Sequence, residues 1–156
     1  MTIEEVIKSK SALPLHKKVI LNILYTQNVV SEKFAEILKP FEISVEQFNV
    51  LRILRGQKGC PANMFLIQER MLAKTSNTTR LVDKLLLKGL VTREVCPNNR
   101  RKMEVAITAK GLELLGELDP RVENHEKNFA VNMTHEELQQ LNTLLEKFRN
   151  TDAFKH

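Results

Sequence analysis

Glycine and proline each occur only five times in this 156-residue chain, and cysteine only twice. So few chain breakers exclude a collagenous or low-complexity polypeptide. Two cysteines, Cys60 and Cys96, are too few for a disulfide framework and suit a reducing compartment. No apolar run approaches the roughly 20 residues that span a bilayer. The opening MTIEEVIKSK carries two acids where a signal peptide has an apolar centre, so no membrane association and a cytoplasmic location are expected. Catalytic signatures are missing too: there is no Gly-rich phosphate loop, no G-x-S-x-G elbow and no H-E-x-x-H pair. His16, His125, His135 and His156 are scattered without metal-ligand spacing. A zinc site joining His16 and His125 at a dimer junction is left open, against the commoner solvated or capping histidine. The chain is expected to be no enzyme and to hold neither metal nor cofactor.

What is present leans towards helix, with abundant Leu, Lys, Glu and Gln in a chain about the size of one domain. Charge is unevenly spread. Lys plus Arg against Asp plus Glu number 6 and 6 in residues 1–51, 12 and 3 in residues 52–102, and 6 and 10 in residues 103–156. The middle third therefore carries +9 between a neutral and an acidic flank. A region of that density concentrates polyanions and speeds their encounter, although a count alone also fits a solvated basic surface.

Apolar periodicity sets out the elements. From Pro14 onward Ile20, Ile23, Leu24, Val30, Phe34, Ile37, Leu38 and Phe41 recur at helical spacing, and Pro40 bends or ends that first long helix. Ser44-x-x-Gln47 reads as a capping box that opens a second helix, with Phe48, Leu51 and Leu54 inward and Gly56 to Gly59 closing it. GCPAN reads as a loop. A short third helix over 63–72 is followed, after a Thr75/Ser76 cap, by a fourth that runs to Lys88 and stops at Gly89. Two helices separated by so short a turn have helix-turn-helix spacing. In the fourth, Thr78, Leu81, Val82 and Leu85 face the core, leaving Ser76, Asn77, Arg80 and Lys84 on other faces. Arg and Asn there can bond bidentately to guanine and adenine in a major groove, or simply meet water.

The next segment weights the choice. Leu90 to Cys96 and Met103 to Thr108 alternate as two strands, with Pro97, Asn98 and Asn99 supplying the turn. The hairpin is a wing, expected to carry Arg100, Arg101 and Lys102 at its tip, where a basic ribbon reaches a minor groove or its flanking phosphates. Helix and wing in succession form a two-groove DNA clamp.

These stretches, TTRLVDKLLLKGLVTRE and NRRKMEVAITAKG, resemble the multiple antibiotic resistance regulator (MarR) family of winged helix-turn-helix regulators. They match its R-L-V-D-x-L-x-x-x-G-L-[VI]-x-R run and its wing pattern ending T-x-x-G. The resemblance implies a mainly α fold. Residues 43–108 form the winged helix-turn-helix DNA-binding lobe, and residues 1–42 and 109–156 supply dimerisation helices. It implies a homodimer on a palindromic double-stranded DNA operator, acting most often as a repressor, with Ser76, Asn77, Thr79 and Arg80 meeting bases and nearby phosphates. Arg101 takes the position of the family's wing arginine, and Arg93 the basic position near the backbone or supporting the wing. Asn99 departs from the family's usual aspartate and offers a neutral hydrogen bond in place of a carboxylate. The resemblance also implies a small aromatic or phenolic effector in a cleft, for which His16, Tyr25, Phe48 and Met64 are candidate lining residues. A thiol-based sensor, with Cys96 activated by Arg93 and Arg100, is a less favoured alternative. The reactive cysteine of such sensors lies near the start of the first helix, where this chain has none. A protein-interaction module using the basic face is a second alternative. Thr108 is expected to cap a fifth helix through Leu112, Leu115 and Leu118 that kinks or restarts at Asp119-Pro120. Thr134-x-x-Glu137 opens a last helix with Leu138, Leu141, Leu145 and Phe148 on one face.

Overall fold

The computed structural model describes residues 1–151, so His156 and the end of the expected 109–156 dimerisation segment lie outside the described residues. The order of elements is α1 (Ile3–Val6), α2 (Leu15–Leu38), a 3-10 turn (Lys39–Phe41), α3 (Val45–Arg55), β1 (Ala62–Asn63), α4 (Met64–Arg70), α5 (Thr78–Leu87), β2 (Val91–Cys96), β3 (Asn99–Ile107), α6 (Ala109–Ala130) and α7 (His135–Arg149). The chain forms two compact units that divide between Asp119 and Pro120.

The first unit is built around α3. Ser44 and Gln47 form the reciprocal cap that the spacing predicts, with Gln47 N–H bonding Ser44 Oγ at 3.1 Å and Ser44 N–H bonding Gln47 Oε1 at 2.9 Å. Phe48, Val50, Leu51, Ile53 and Leu54 are all buried. A helix covered on so many sides is the core of its lobe rather than a surface helix. Around it pack α2, α4, α5 and β3, and the Phe34 and Phe48 rings meet edge to face with centroids 5.1 Å apart. Pro40 sits in the 3-10 turn and ends α2 rather than bending it, after which Glu42 takes a left-handed conformation with φ 54°.

One expectation about this region is corrected. GCPAN is not all loop: Ala62 and Asn63 form β1, which pairs with Val105 and Glu104 to give a three-stranded antiparallel sheet in the order β1-β3-β2. Two residues carry no detectable alternation, and their pairing partner lies some forty positions away, so the signal is not local.

The stripe on α2 is covered towards its C-terminal end, where Phe34 and Ile37 are half-buried and Leu38 buried, and is left exposed at Ile20, Leu24 and Val30. Leu38 is its one buried residue, while Ile20, Leu24 and Tyr25 are exposed. Thr108 caps α6 as expected, its Oγ1 accepting the Gly111 N–H at 3.1 Å. Leu115 and Leu118 are buried and Leu112 is exposed. The helix neither stops nor restarts at Pro120, which lies inside it; a proline there removes one intrahelical hydrogen bond without ending the helix. In the second unit Thr134 and Glu137 make the predicted reciprocal cap on α7, and Leu141, Leu145 and Phe148 are exposed. No helix among the described residues is long and apolar enough to cross a membrane.

The N-terminal segment is fastened to α2. Ile3 is buried, and Lys18 Nζ lies 2.9 Å from Glu4 Oε1. The hydrogen bond from Lys18 holds the Glu4 carboxyl below its ordinary value of 4.5. A carboxylate whose folded value is depressed stabilises the fold above its unfolded value, and the contribution is lost as pH falls through the folded value. Replacing Glu4→Gln is therefore expected to lower the thermal midpoint at neutral pH, with the difference from wild type closing as pH drops below 4.5. An undiminished difference at about pH 3 would contradict the ion pair.

Candidate nucleic-acid interface

The helix-turn-helix consists of α4, residues 71–77 and α5. Asn63 caps α4, its Oδ1 accepting the Leu66 N–H at 2.8 Å. The cap of α5 is Asn77, not the Thr75/Ser76 pair expected from composition: Asn77 Oδ1 accepts the Arg80 N–H at 3.1 Å, and Thr75 and Ser76 lie in the preceding turn. Thr75, Ser76 and Asn77 are all competent capping types, and backbone dihedrals rather than composition choose among them. Thr78, Val82 and Leu85 are buried and Leu81 half-buried, as the periodicity predicts.

Sequence reasoning missed the residue that ties the two helices together. Gln68, on α4, donates from Nε2 to the Lys74 carbonyl in the turn at 2.7 Å and accepts from the buried Thr78 hydroxyl at the start of α5. One amide thus binds the turn and the second helix at once. Its signal is faint, a polar residue on a short helix with no repeat to mark it. At the other end, Gly89 has φ +68°, a left-handed conformation that favours glycine. The Leu90 N–H reaches the Leu85 carbonyl at 3.1 Å and the Gly89 N–H the Leu86 carbonyl at 2.9 Å. This is a Schellman closure, with Leu85 and Leu90 both buried beneath it.

With both ends fixed, the outward face of α5 is defined. Thr79, Arg80 and Lys84 are exposed there, with Asn77 exposed at its start and Ser76 half-buried in the turn. Asn77, Arg80 and Lys84 are spaced three and four apart, which puts them on one helical face. Thr79 and Asp83 share the neighbouring face, where Arg93 Nη1 on β2 donates to Asp83 Oδ1 at 2.6 Å. Arg93 is thereby held as a strut between helix and wing.

The wing differs from its expected form. Its turn is Pro97-Asn98, and Asn99 already belongs to β3, opposite Cys96. Arg100, Arg101 and Lys102 are therefore not at the tip: Val95 pairs with Met103 while Cys96 pairs with Asn99, so these three residues bulge out of the longer strand just behind the turn. Asn99 Oδ1 accepts the Arg101 N–H at 3.0 Å. The Asn99 side chain thereby shapes the strand through the backbone. Among the described residues, Arg80, Lys84, Arg100, Arg101 and Lys102 enter no ion pair, and all five are exposed.

The candidate cleft residues are not gathered by the single chain. His16 and Tyr25 are both exposed on α2, and nine residues at about 100° each put them on opposite sides of the helix. Phe48 belongs to the core and Met64 is half-buried at the start of α4. An open groove of about 460 Å³ lies elsewhere, its lining including Glu42, Ser44, Gln47, Leu81, Lys84 and Lys88. Cys60 is exposed and Cys96 half-buried, both as free thiols.

A helix-turn-helix followed at once by a basic antiparallel ribbon on a mainly helical chain defines a winged-helix transcription regulator. Comparison with known proteins agrees. The model of the MarR family matches residues 43–103. The chain is 32% identical to a MarR transcription factor from Planctomyces limnophilus, covering 87% of this chain and 98% of that one, with a TM-score of 0.68. It is 23% identical over 134 residues to the homoprotocatechuate degradative operon repressor of Escherichia coli, covering 86% of this chain and 89% of the repressor. The fold is shared with Bordetella bronchiseptica BpsR, whose DNA binding is regulated by 6-hydroxynicotinic acid, at a TM-score of 0.77 and 20% identity over 91% of this chain and all of that one. The chain belongs to the MarR family of transcription regulators.

Removing the Gln68 side chain leaves the buried Thr78 hydroxyl and the Lys74 carbonyl without their partner. Gln68→Ala is expected to cost roughly 1–3 kcal/mol, read as a fall in the denaturant midpoint at unchanged slope. An unchanged midpoint would show that the amide ties nothing together.

Proposed function

We propose that the chain is a sequence-specific double-stranded DNA-binding regulator, most simply a repressor, that acts as a cytoplasmic homodimer on a palindromic operator and has no catalytic activity. The observation that carries this reading is the set of uncommitted cations: Arg80 and Lys84 on the exposed face of α5 and Arg100, Arg101 and Lys102 on the adjoining wing, none of them in an ion pair among the described residues. Ser76, Asn77, Thr79 and Arg80 are the proposed contacts to bases and nearby phosphates. Arg93 contributes through its strut to Asp83, and the wing cations meet the minor groove or its phosphates. In this reading residues 43–108 are the DNA-binding lobe and residues 1–42 and 109–156 supply the dimerisation helices. The uncovered apolar residues of α2 and α7 support the second part, since contiguous exposed apolar surface commonly marks an association site. A dimer spaces two reading helices about 34 Å apart, one turn of duplex, and so selects an inverted repeat.

Release by a small aromatic or phenolic effector belongs to the same reading, supported by the likeness to the homoprotocatechuate degradative operon repressor and to BpsR, whose DNA binding is regulated by 6-hydroxynicotinic acid. Such a ligand acts only to the extent that it prefers the conformer that does not bind DNA.

The test is retention of random duplexes by the purified chain at near-physiological salt, followed by sequencing. An enriched inverted repeat, bound more tightly than random duplex by roughly 4–10 kcal/mol, is expected. Retention without enrichment would favour a protein-interaction module with a basic face. On the enriched duplex, Arg80→Ala should relax the choice of base at one position by about 1–3 kcal/mol. Arg101→Ala should weaken enriched and random duplexes more evenly and lower the salt slope by about 1. Unchanged base preference in Arg80→Ala would overturn the assignment of α5 as the reading helix.

A further inference from the structure

The carbonyls that close a helix have no partner within it and must find donors elsewhere. At the end of α5 the Leu85 and Leu86 carbonyls are taken by the Leu90 and Gly89 N–H groups, and the carbonyls of Lys88, Gly89 and Leu90, on the residues leaving the helix, find donors at the junction of β3 with α6. Lys110 Nζ donates to the Lys88 carbonyl at 2.9 Å, Thr108 Oγ1 to the Gly89 carbonyl at 2.7 Å, and the Thr108 N–H to the Leu90 carbonyl at 3.1 Å. Three consecutive carbonyls are thus taken by two residues about twenty positions away. The fit is close: a Cβ on Gly111 would lie 2.4 Å from the Leu90 carbonyl oxygen and 2.7 Å from Ile107 Cγ1. That residue is glycine because the first turn of α6 presses directly on the backbone leaving α5. Lys88 in turn reaches back with its own ammonium to the Glu42 carbonyl ahead of α3. At its far end the first-unit portion of α6 is held as well, with Arg55 Nη1 at 3.0 and 2.8 Å from the two Asp119 carboxylate oxygens.

We infer that Lys110 is a positioning residue for DNA recognition: its ammonium, with Thr108, fixes the C-terminal end of α5 to the first turn of α6, so that α6 sets how the reading helix is presented. A cation at a helix C-terminus is attracted by the helix dipole as well as by the single carbonyl it bonds. Of the two side-chain donors at this junction it is also the one whose removal leaves the Thr108 cap on the Gly111 N–H in place. The inference rests on α5 being the reading helix.

A lysine that met a DNA phosphate would help every duplex alike, whereas one that positions α5 helps only the duplex whose bases α5 reads. The experiment compares Lys110→Met, which keeps most of the stem, and Lys110→Arg, which restores the charge, with wild type in the full chain. Binding is measured to the enriched duplex and to a random duplex of equal length, together with amide exchange at Gly89 and Leu90. Lys110→Met should bind the enriched duplex about three to five times more weakly, the scale of one exposed charge–dipole contact. The same variant should leave random duplex within about twofold and speed exchange at both amides, and Lys110→Arg should return all three values towards wild type. Equal weakening on both duplexes with unchanged exchange would overturn the inference in favour of a phosphate contact, and no change in any reading would also overturn it. Faster exchange in Lys110→Met, together with a wild-type protein that enriches no duplex, would mean that the clamp exists but the reading-helix assignment fails, and the positioning role fails with it.

Discussion

The burial of one stripe of α5 is the constraint on which the rest of the interface depends. Thr78, Val82 and Leu85 are buried, and α5 packs on α3, α4 and β2; sinking a Val or Leu side chain is worth roughly 1.5–3 kcal/mol each. Each residue turns a helix by about 100°, so fixing that stripe fixes the opposite one. Arg80 and Lys84 face outward because rotating them in would expose Val82 and Leu85. Burial sets rotation but not sliding or tilt. Those are limited by polar ties at both ends, Gln68 on Thr78 and Lys74 at the start, and Thr108 with Lys110 at the finish.

Charge is then sorted by use. The middle third contains only three acids, Glu69, Asp83 and Glu94, and Asp83 is taken up by Arg93. That pair spends one cation on geometry, joining α5 to the wing, and leaves Arg80, Lys84, Arg100, Arg101 and Lys102 without an ion pair among the described residues. Being half exposed, with side-chain accessibilities of 32% and 50%, it is screened and adds little stability; its value lies in the angle it sets. Those five cations are exposed, which suits a polyanion whose affinity is dominated by phosphates and falls steeply with salt.

What could be read from the sequence divides along locality. The caps at Ser44 and Thr134 and the buried stripe of α5 follow from residues within a turn of one another, and each appears where periodicity puts it. β1 could not be read, because Ala62 and Asn63 become a strand only when Val105 and Glu104 arrive. The cap of α5 is ambiguous in sequence among three neighbouring residues of similar chemistry, and the wing turn takes two residues where turn-forming composition extends over three. The bulge holding Arg100 to Lys102 depends on cross-strand register, which composition does not encode. For the candidate cleft, helical geometry alone could have separated His16 from Tyr25. Gln68 and Lys110 carry no signature in one sequence, since each acts on a backbone carbonyl and any donor of that reach would look the same.

The apolar residues left exposed on α2 and α7 and the cations left without ion pairs on α5 and the wing both bear on the proposed function, in which a regulator of two half-sites needs a partner as well as an operator. Footprinting of the wild-type chain on its enriched duplex tests this most directly, with base-specific probes of both grooves. The account predicts two protected major-groove windows centred about 10 base pairs apart, each flanked by minor-groove protection from a wing. A single window, or even protection along the duplex, would contradict it.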